Sequence, residues 1–426
     1  MTERNKICGV SLYIIGIGMG NPGCLTVEAA QAIEAAKLLV GAKRMLAPYE
    51  KEKSCAVSYR TEEIVEIVEI IEEYMRTGAG NIAVLLSGDS GFYSGAKALL
   101  AALREAWGEE TVQRRVAVLP GISSLSYFCA KIGKSWEDAE LVNLHGAEEN
   151  LWQAVLTHEK VFAVTGGNAQ KYLEELAAHG LGGAYGYVGE NLSYAAPQPL
   201  QERIFSGTVR ELARQEYAPL SVLYLENPEA VGANLWGLPD ESFTRGEVPM
   251  TKAEVRAVVM SKLRIRETDI VYDIGAGTGS VSVEMALTAR RGKVYAIETN
   301  PKAVELCKLN KDKFCLHNME IVEGMAPAAL EQFPAPDAAF IGGSKGQLRE
   351  ILDLLVRKNP ALRVVINTIT VENTAAALEL LETENFTDQE IVQLQVSRGL
   401  KVGASHMLTA HNPVTVLSAR GRGYLK

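Results

Sequence analysis

The 426-residue sequence predicts an α/β protein of two domains, and three observations carry that reading. Short apolar runs end in glycine turns in both halves. Helical spacing follows those turns. A stretch without any apolar period separates the halves. The plainest case is Asp269-Ile-Val-Tyr-Asp-Ile-Gly-Ala-Gly-Thr-Gly-Ser280. Ile270 to Ile274 reads as a buried parallel strand, Gly275, Gly277 and Gly279 as the turn, and Val281 to Ala286 as the opening of a helix. A second strand, Val294 to Ile297, ends on Glu298. Turn glycines let backbone approach a ligand, and the helix start offers free N–H groups.

An acid about 20 residues beyond such a turn takes ribose hydroxyls in nucleotide-binding βαβ units, and Glu298 stands there. Dinucleotides and S-adenosylmethionine (SAM) both carry a ribose. The glycines are spaced G-x-G-x-G, with Ser280 after Gly279, whereas a dinucleotide fingerprint wants G-x-G-x-x-G. The spacing resembles class I SAM-dependent methyltransferases. On this stretch alone, NAD binding by an oxidoreductase and a glycine turn with only a packing role stay open as alternatives.

Composition narrows the class. With 47% hydrophobic and 22% charged residues the chain reads as a soluble globular protein, and a net charge of -9 argues against a nucleic-acid binder with a basic face. Cys8, Cys24, Cys55, Cys129, Cys307 and Cys315 form no C-x-x-C pair and no zinc spacing, so no metal site is expected. Reduced buried thiols and the lack of a signal-peptide profile point to the cytoplasm. No apolar run approaches the ~20 residues of a membrane span, so no membrane partner is expected. A homo-oligomer is.

In chain order, Ser11 to Gly18 is an apolar strand running into Gly16, Gly18 and Gly20, and Thr26 caps a helix reaching Ala36. Lys37 to Gly41 returns as a strand, and Thr61 to Met75 is an amphipathic helix with an acidic solvated face. Ile82 to Ser87 is a strand ending at Gly88-Asp89, followed by a helix from Ala96 to Ala106. Val116 to Ser124 repeats the design, with Ser123 and Ser124 at a helix start. Three such strand ends should converge on one edge of a parallel sheet, where open α/β sheets bind ligands. From Glu140 short strands at Leu141, Val161, Gly186 and Leu220 suggest a second lobe, with His145 near a strand end as either a catalytic or a structural residue.

Asn227 to Val248, rich in Pro, Gly and Asn, reads as a linker, which sets domains at 1–238 and 245–426. Thr251 with Glu254 looks like a capping box opening the next helix. The helix Pro301 to Asn310, the strand Met319 to Val322, Gly324-Met-Ala326, the strand Asp337 to Ile341 and the strand Leu362 to Asn367 follow. Ile391 to Val396 and Pro413 to Ser418 alternate and close the sheet as a terminal pair, giving a Rossmann-like, seven-stranded class I layout.

Taken in this order, the motifs resemble the precorrin-6Y C5,15-methyltransferase (decarboxylating) family of corrin-ring construction. There a two-lobed tetrapyrrole-methylase domain is fused to a class I methyltransferase domain. The resemblance rests on Gly16-Ile-Gly-Met-Gly20, Ser87-Gly-Asp-Ser-Gly-Phe-Tyr-Ser94, Pro120-Gly-Ile-Ser-Ser124, Leu144-His-Gly146 and Val188 to Tyr194 in the first half. In the second it rests on Pro249 to Arg256, Asp273 to Ser280, Phe340-Ile-Gly-Gly-Ser344 and His406-Met-Leu. Met19 and Ser90 stand where the family usually has proline, and Met325 where an acid often follows the glycine.

The resemblance implies one SAM per half. In the first half the expected contacts are Gly16, Gly18, Gly20, Gly88, Asp89, Ser123 and Ser124. In the second they are Thr251, Gly275, Ala276, Gly277, Thr278, Gly279, Glu298, Gly324 and Ala326. It also implies C5 methylation by the first half, and C15 methylation with loss of the ring C acetate carboxyl by the second. The tetrapyrrole substrate is metal-free or cobalt-bearing. Methyl transfer from a sulfonium needs alignment more than a strong base, and holding both partners can supply about 7–11 kcal/mol. Asp89, Arg398 and His406 are the candidate catalytic residues, His406 as a group that positions the acetate or, alternatively, as a packed structural residue. Lys252, Arg256, Arg398 and Lys401 are candidate clamps for substrate carboxylates, each weighed against a solvated surface charge.

Overall fold

The computed structural model describes residues 11–49, 57–60, 62–77, 80–145, 149–194, 201–232, 235–383 and 385–425. The expectations for Cys8, Cys55, Thr61, Gly146, Ala233 and Asn234 lie outside the described residues. The chain forms two compact units, Met1–His145 with Lys160–Glu174 and Gly183–Glu226, and Gly146–Glu159 with Glu175–Gly182 and Asn227–Lys426.

The first unit holds two five-stranded sheets. Strands β1 (Leu12–Gly16), β2 (Ala36–Gly41), β3 (Val57–Arg60), β4 (Asn81–Leu86) and β5 (Val116–Leu119) form a parallel sheet in the order β3-β2-β4-β1-β5. The strands that run into the glycine and hydroxyl turns, β4, β1 and β5, are therefore neighbours, and their turns meet at one edge. Leu12, Ile14, Leu38, Val40, Ile82 and Val84 fill one face and Ile15, Leu39, Ala83 and Leu85 the other. Burial on both faces explains why these strands read as continuous apolar runs. Thr26 caps its helix as expected, accepting from the Ala29 N–H at 3.1 Å, and Ser123 caps the helix Ser124–Ile132, accepting from the Ser126 N–H at 3.0 Å.

The second sheet contains β6 (Glu140–Asn143), β7 (Lys160–Val164), β8 (Tyr185–Glu190), β9 (Arg203–Thr208) and β10 (Ser221–Glu226), ordered β6-β7-β10-β8-β9. Only β6 and β7 run parallel. The outer strand β9 is largely exposed, so its sequence carries little apolar signal.

The second unit is built on seven strands: β11 (Ile270–Ile274), β12 (Lys293–Glu298), β13 (Met319–Glu323), β14 (Ala338–Ile341), β15 (Arg363–Thr368), β16 (Phe386–Leu394) and β19 (Val414–Gly421). Their order is β13-β12-β11-β14-β15-β19-β16, parallel except for β19, which runs antiparallel to both neighbours. The alternating pair foreseen at the end of the chain is β16 and β19. Between them β17 (Ser397–Val402) and β18 (Ser405–Ala410) form a separate exposed hairpin. Trp152, in the helix Leu151–Thr157, packs edge-on to Phe314 at 5.9 Å between centroids within this unit.

Three expectations are corrected here. The stretch read as a linker is packed: Leu235, Asp240 and Phe243 are buried, and Gly237 and Leu238 donate their N–H groups to Glu284 at 2.9 and 3.0 Å. Its turn residues suppress the apolar period, yet its backbone is tied down. The capping box is absent: Lys252 is the cap residue of the helix Ala253–Leu263 and makes no side-chain cap, while the Thr251 carbonyl accepts from Arg256. Arg256 itself is fully buried rather than free to clamp a substrate. It donates to Glu284 at 2.7 Å and to Asp240 at 3.0 Å, and its guanidinium lies 4.6 Å from the Phe243 ring centroid. Burial alone would raise the Asp240 carboxyl, but Arg256 and Arg398 more than reverse this and hold it below its usual range. At Glu284 burial prevails and the carboxyl is raised despite Arg256.

Candidate functional site

In the second unit the carboxyl ends of β11, β12, β13 and β14 enclose a cleft of about 170 Å3. Gly275, Glu298, Thr299, Gly324, Ala326, Gly343 and Lys345 are among its lining residues. Gly275 is in the left-handed region at φ 78°, and a Cβ there would lie 2.8 Å from the Gly343 nitrogen. Only glycine allows that turn. The opposite holds at Gly343, where an added Cβ would meet no heavy atom within 4 Å, so a larger side chain there would enter open space at the cleft wall.

Glu298 organises this end of the sheet. Its Oε2 accepts the Gly277 N–H at 2.9 Å, and its Oε1 accepts the N–H groups of Thr299 and Asn300 at 2.7 and 2.8 Å. Its backbone carbonyl accepts from the Gly324 N–H at 2.9 Å. The carboxylate thus ties the glycine turn to the end of β12, and the backbone carbonyl ties in the end of β13. A carboxylate oxygen has two lone pairs, so Oε2 keeps capacity for a hydroxyl donor. An acid, a side-chain-free wall and a narrow apolar floor fit a nucleoside with a ribose diol.

The remaining expected residues of this unit fall into two groups. Ala276 and Thr278 are buried behind the turn, and Gly279 packs against Cys307. Thr251, Arg398 and His406 are not among the cleft-lining residues. Arg398 donates to Glu254 at 3.0 and 2.7 Å and to Asp240 at 2.9 Å, which fastens the base of the hairpin. His406 is exposed on the hairpin opposite Lys401, so it is not packed structurally. Lys252 lies 3.7 Å from Asp240. Sequence reasoning missed Thr299 and Lys345. Both follow quoted motifs directly, and a cation after Gly342-Gly343-Ser344 was the available signal.

In the first unit the three turns do converge. A Cβ on Gly121 would sit 2.4 Å from the carbonyl oxygens of both Gly16 and Gly88. Gly18 and Gly88 form an antiparallel bridge. Asp89 fastens the cluster: Oδ1 accepts from Gly91 N–H at 2.8 Å and Oδ2 from Gly121 N–H at 2.9 Å. Its carboxylate holds two turns in place. Ser123 spends its hydroxyl on the helix cap, and Gly20 abuts the Tyr194 hydroxyl, bringing the Val188–Tyr194 motif to the same edge. His145 is exposed, with its backbone N–H donating to Asn143 at 3.0 Å.

Comparison with known proteins divides the chain into two successive halves, the first of which includes the segments 146–159 and 175–182 that pack with the second unit. The profile of tetrapyrrole (corrin/porphyrin) methylases matches residues 11–213, and that of the precorrin methyltransferase domain matches residues 241–420. A probable cobalt-precorrin-6B C(15)-methyltransferase (decarboxylating) of Pyrobaculum calidifontis is 42% identical over 186 residues, which cover 43% of this chain and 95% of that protein. The chain belongs to the precorrin methyltransferase family. The cobalt-precorrin-6B C(15)-methyltransferase (decarboxylating) of Salmonella typhimurium is 40% identical over 185 residues, covering 43% of this chain and 95% of its own. Among solved structures, a precorrin-6Y C5,15-methyltransferase of Geobacter metallireducens is 36% identical, covers 44% of this chain and 98% of its own, and superposes with a TM-score of 0.42. Membership places the G-x-G-x-G turn with methyltransferases rather than with dinucleotide oxidoreductases. No helix among the described residues is long and apolar enough to cross a membrane.

Behind the family's glycine turn lies Asp273, wholly buried. Its Oδ2 accepts from Ser282, while Oδ1 has no partner among the described residues. Burial pushes its carboxyl up to about 7, with Glu298 acting in the same direction and Ser282 against it. An unfolded Asp titrates near ~3.9. Between that value and about 7 the folded unit therefore binds a proton that the unfolded chain has released, and stability falls as pH rises through this window. Thermal unfolding of wild type and Asp273→Asn between pH 5 and 8 checks this. The wild type should lose melting temperature across the range, and the variant should lose less. Parallel curves would contradict the assignment.

Proposed function

We propose that the chain is a SAM-dependent C-methyltransferase of cobalamin-ring construction with a methyl-donor site in each unit. The second unit methylates C15 of a precorrin-6Y-type tetrapyrrole, or its cobalt form, with loss of the ring C acetate carboxyl. The first unit methylates C5. The observation that carries the reading is the Glu298 cleft at the ends of β11 to β14, in a unit whose relatives carry C15-methyltransferase names.

Bound SAM supplies an electrophilic methyl group. The chain's own residues hold and orient. Glu298, already fixed by Gly277, Thr299 and Asn300, needs no reorganisation to accept a ribose hydroxyl. Gly275 and Gly343 bring backbone to the cleft wall where side chains would crowd a ligand. Lys345 adds a positive charge at the cleft for an acidic substrate. In the first unit, Asp89 acts as a positioning residue through the turns it joins. No nucleophile–base pair is required, because alignment supplies most of the acceleration.

Mass spectrometry after incubation with SAM and precorrin-6Y, metal-free or with cobalt, tests the proposal. Two added methyl groups and loss of one carbon dioxide are expected. Glu298→Ala should slow C15 methylation at least about tenfold, since a hydrogen bond to a charged group is worth about 1.5–3 kcal/mol. The same variant should still methylate C5 when the C15-methylated intermediate is supplied. No transfer to either tetrapyrrole, or unchanged C15 methylation, would contradict the reading.

The chain is also proposed to assemble as a homo-oligomer through the β17–β18 hairpin. Leu400 and Met407, paired across the hairpin, are each 60% exposed, with exposed Val402 on the same face, and a monomer rarely leaves such a cluster uncovered. Sedimentation should find a multimer that Leu400→Asp with Met407→Asp converts to monomers; a monomeric wild type would rule this out.

A further inference from the structure

Beside the Asp89 turn the first unit has a cavity of about 580 Å3 that no part of the donor-site argument uses. It shares Ser90 and Gly91 with that turn and is otherwise lined by the helix Ala96–Trp107 and by β5. Its apolar surface comes from Tyr93, Leu100 and Val118, and its charge from Lys97 and Arg104.

Two features set this cavity apart from an ordinary surface hollow. Tyr93 is a bulky residue held in the left-handed region, at φ 45°, while 44% exposed. Strain of this kind persists at sites where the surroundings hold it, and function is the usual reason. Its hydroxyl donates to the Leu141 carbonyl at 3.3 Å, and its ring lies 4.6 Å from that of Phe92. Val118 is 42% exposed on β5, the outer strand of its sheet, so an apolar floor lies open beside the turn.

The charges are available to a ligand. Lys97 makes no hydrogen bond or ion pair among the described residues. Arg104 pairs with Glu109 at 2.8 Å, but both side chains are about half exposed, at 49% and 55%. Such a pair is worth little and exchanges readily for a ligand carboxylate. An apolar floor edged by cations suits a flat apolar ring carrying carboxylates on its rim.

We propose that this cavity binds one carboxylate-bearing edge of the tetrapyrrole acted on by the first unit. Lys97 and Arg104 meet the acid groups, and Tyr93, Leu100 and Val118 lie under the ring. The proposal rests on the tetrapyrrole reading above and adds the subsite.

The test is a fluorescence titration of the intact chain with uroporphyrin, a tetrapyrrole with eight carboxylates, and with its uncharged octamethyl ester. Lys97→Glu combined with Arg104→Glu should weaken one class of uroporphyrin site about tenfold, as two lost charge contacts allow. Ester binding and S-adenosylhomocysteine binding should be unchanged, and the milder Lys97→Gln should give a smaller shift of the same sign. Coincident titrations of wild type and double variant would overturn the subsite and leave the tetrapyrrole reading standing. No uroporphyrin binding by the wild type would overturn both. A double variant that binds uroporphyrin normally but sediments as a smaller species would assign the cavity to a second copy of the chain and overturn the proposal.

Discussion

Backbone touches backbone at the glycine-turn edge of both units, and the rest of the architecture is compatible with that constraint. In the first unit the Gly121 backbone lies so close to the carbonyls of Gly16 and Gly88 that no Cβ fits. In the second, Gly275 stands against Gly343 in the same way. These contacts join the ends of parallel strands where they turn into loops, and glycine leaves no side chain at the points of contact. An acid then fixes the loops relative to one another: Asp89 through Gly91 and Gly121, Glu298 through Gly277, Thr299 and Asn300. The two units use one physical solution on sheets of different strand order.

A second constraint acts inside the second unit. Arg256 has no exposure and is shared between Asp240 and Glu284, whose other contacts draw in the Gly237–Leu238 backbone and Arg398 at the base of the hairpin. Such a buried cluster resists loss of any one partner, because the charges left behind are desolvated and unpaired. The segment from Leu235 to Phe243 therefore belongs to this unit's core. A division of the chain between residues 238 and 245 separates Leu238, which accepts from Arg256, from the helix that carries Arg256.

Much of this was legible in the sequence, for identifiable reasons. Strands buried on both faces announce themselves as apolar runs, and glycine turns at their ends mark the edge, so β1, β4, β5, β11 and β12 were readable with their site. The exposed strands β9, β17 and β18 were not, since little apolar signal distinguishes them from loops. Charge was the least readable property. Arg256 and Arg398 look alike in sequence to a surface cation, and only the tertiary partners Asp240, Glu254 and Glu284 reveal that both are engaged. The reading of residues 227–248 failed for a related reason: Pro, Gly and Asn remove periodicity without removing anchorage.

The central claim is that both glycine edges are donor sites. Calorimetric titration of the intact chain with S-adenosylhomocysteine tests it most directly, with Gly343→Leu as the probe, because a side chain at Gly343 extends into open space at the cleft wall without displacing the fold. Two molecules should bind per wild-type chain and one per variant chain, with melting behaviour otherwise preserved. One molecule per wild-type chain, abolished by Gly343→Leu, would contradict the account and leave the first edge as scaffold alone.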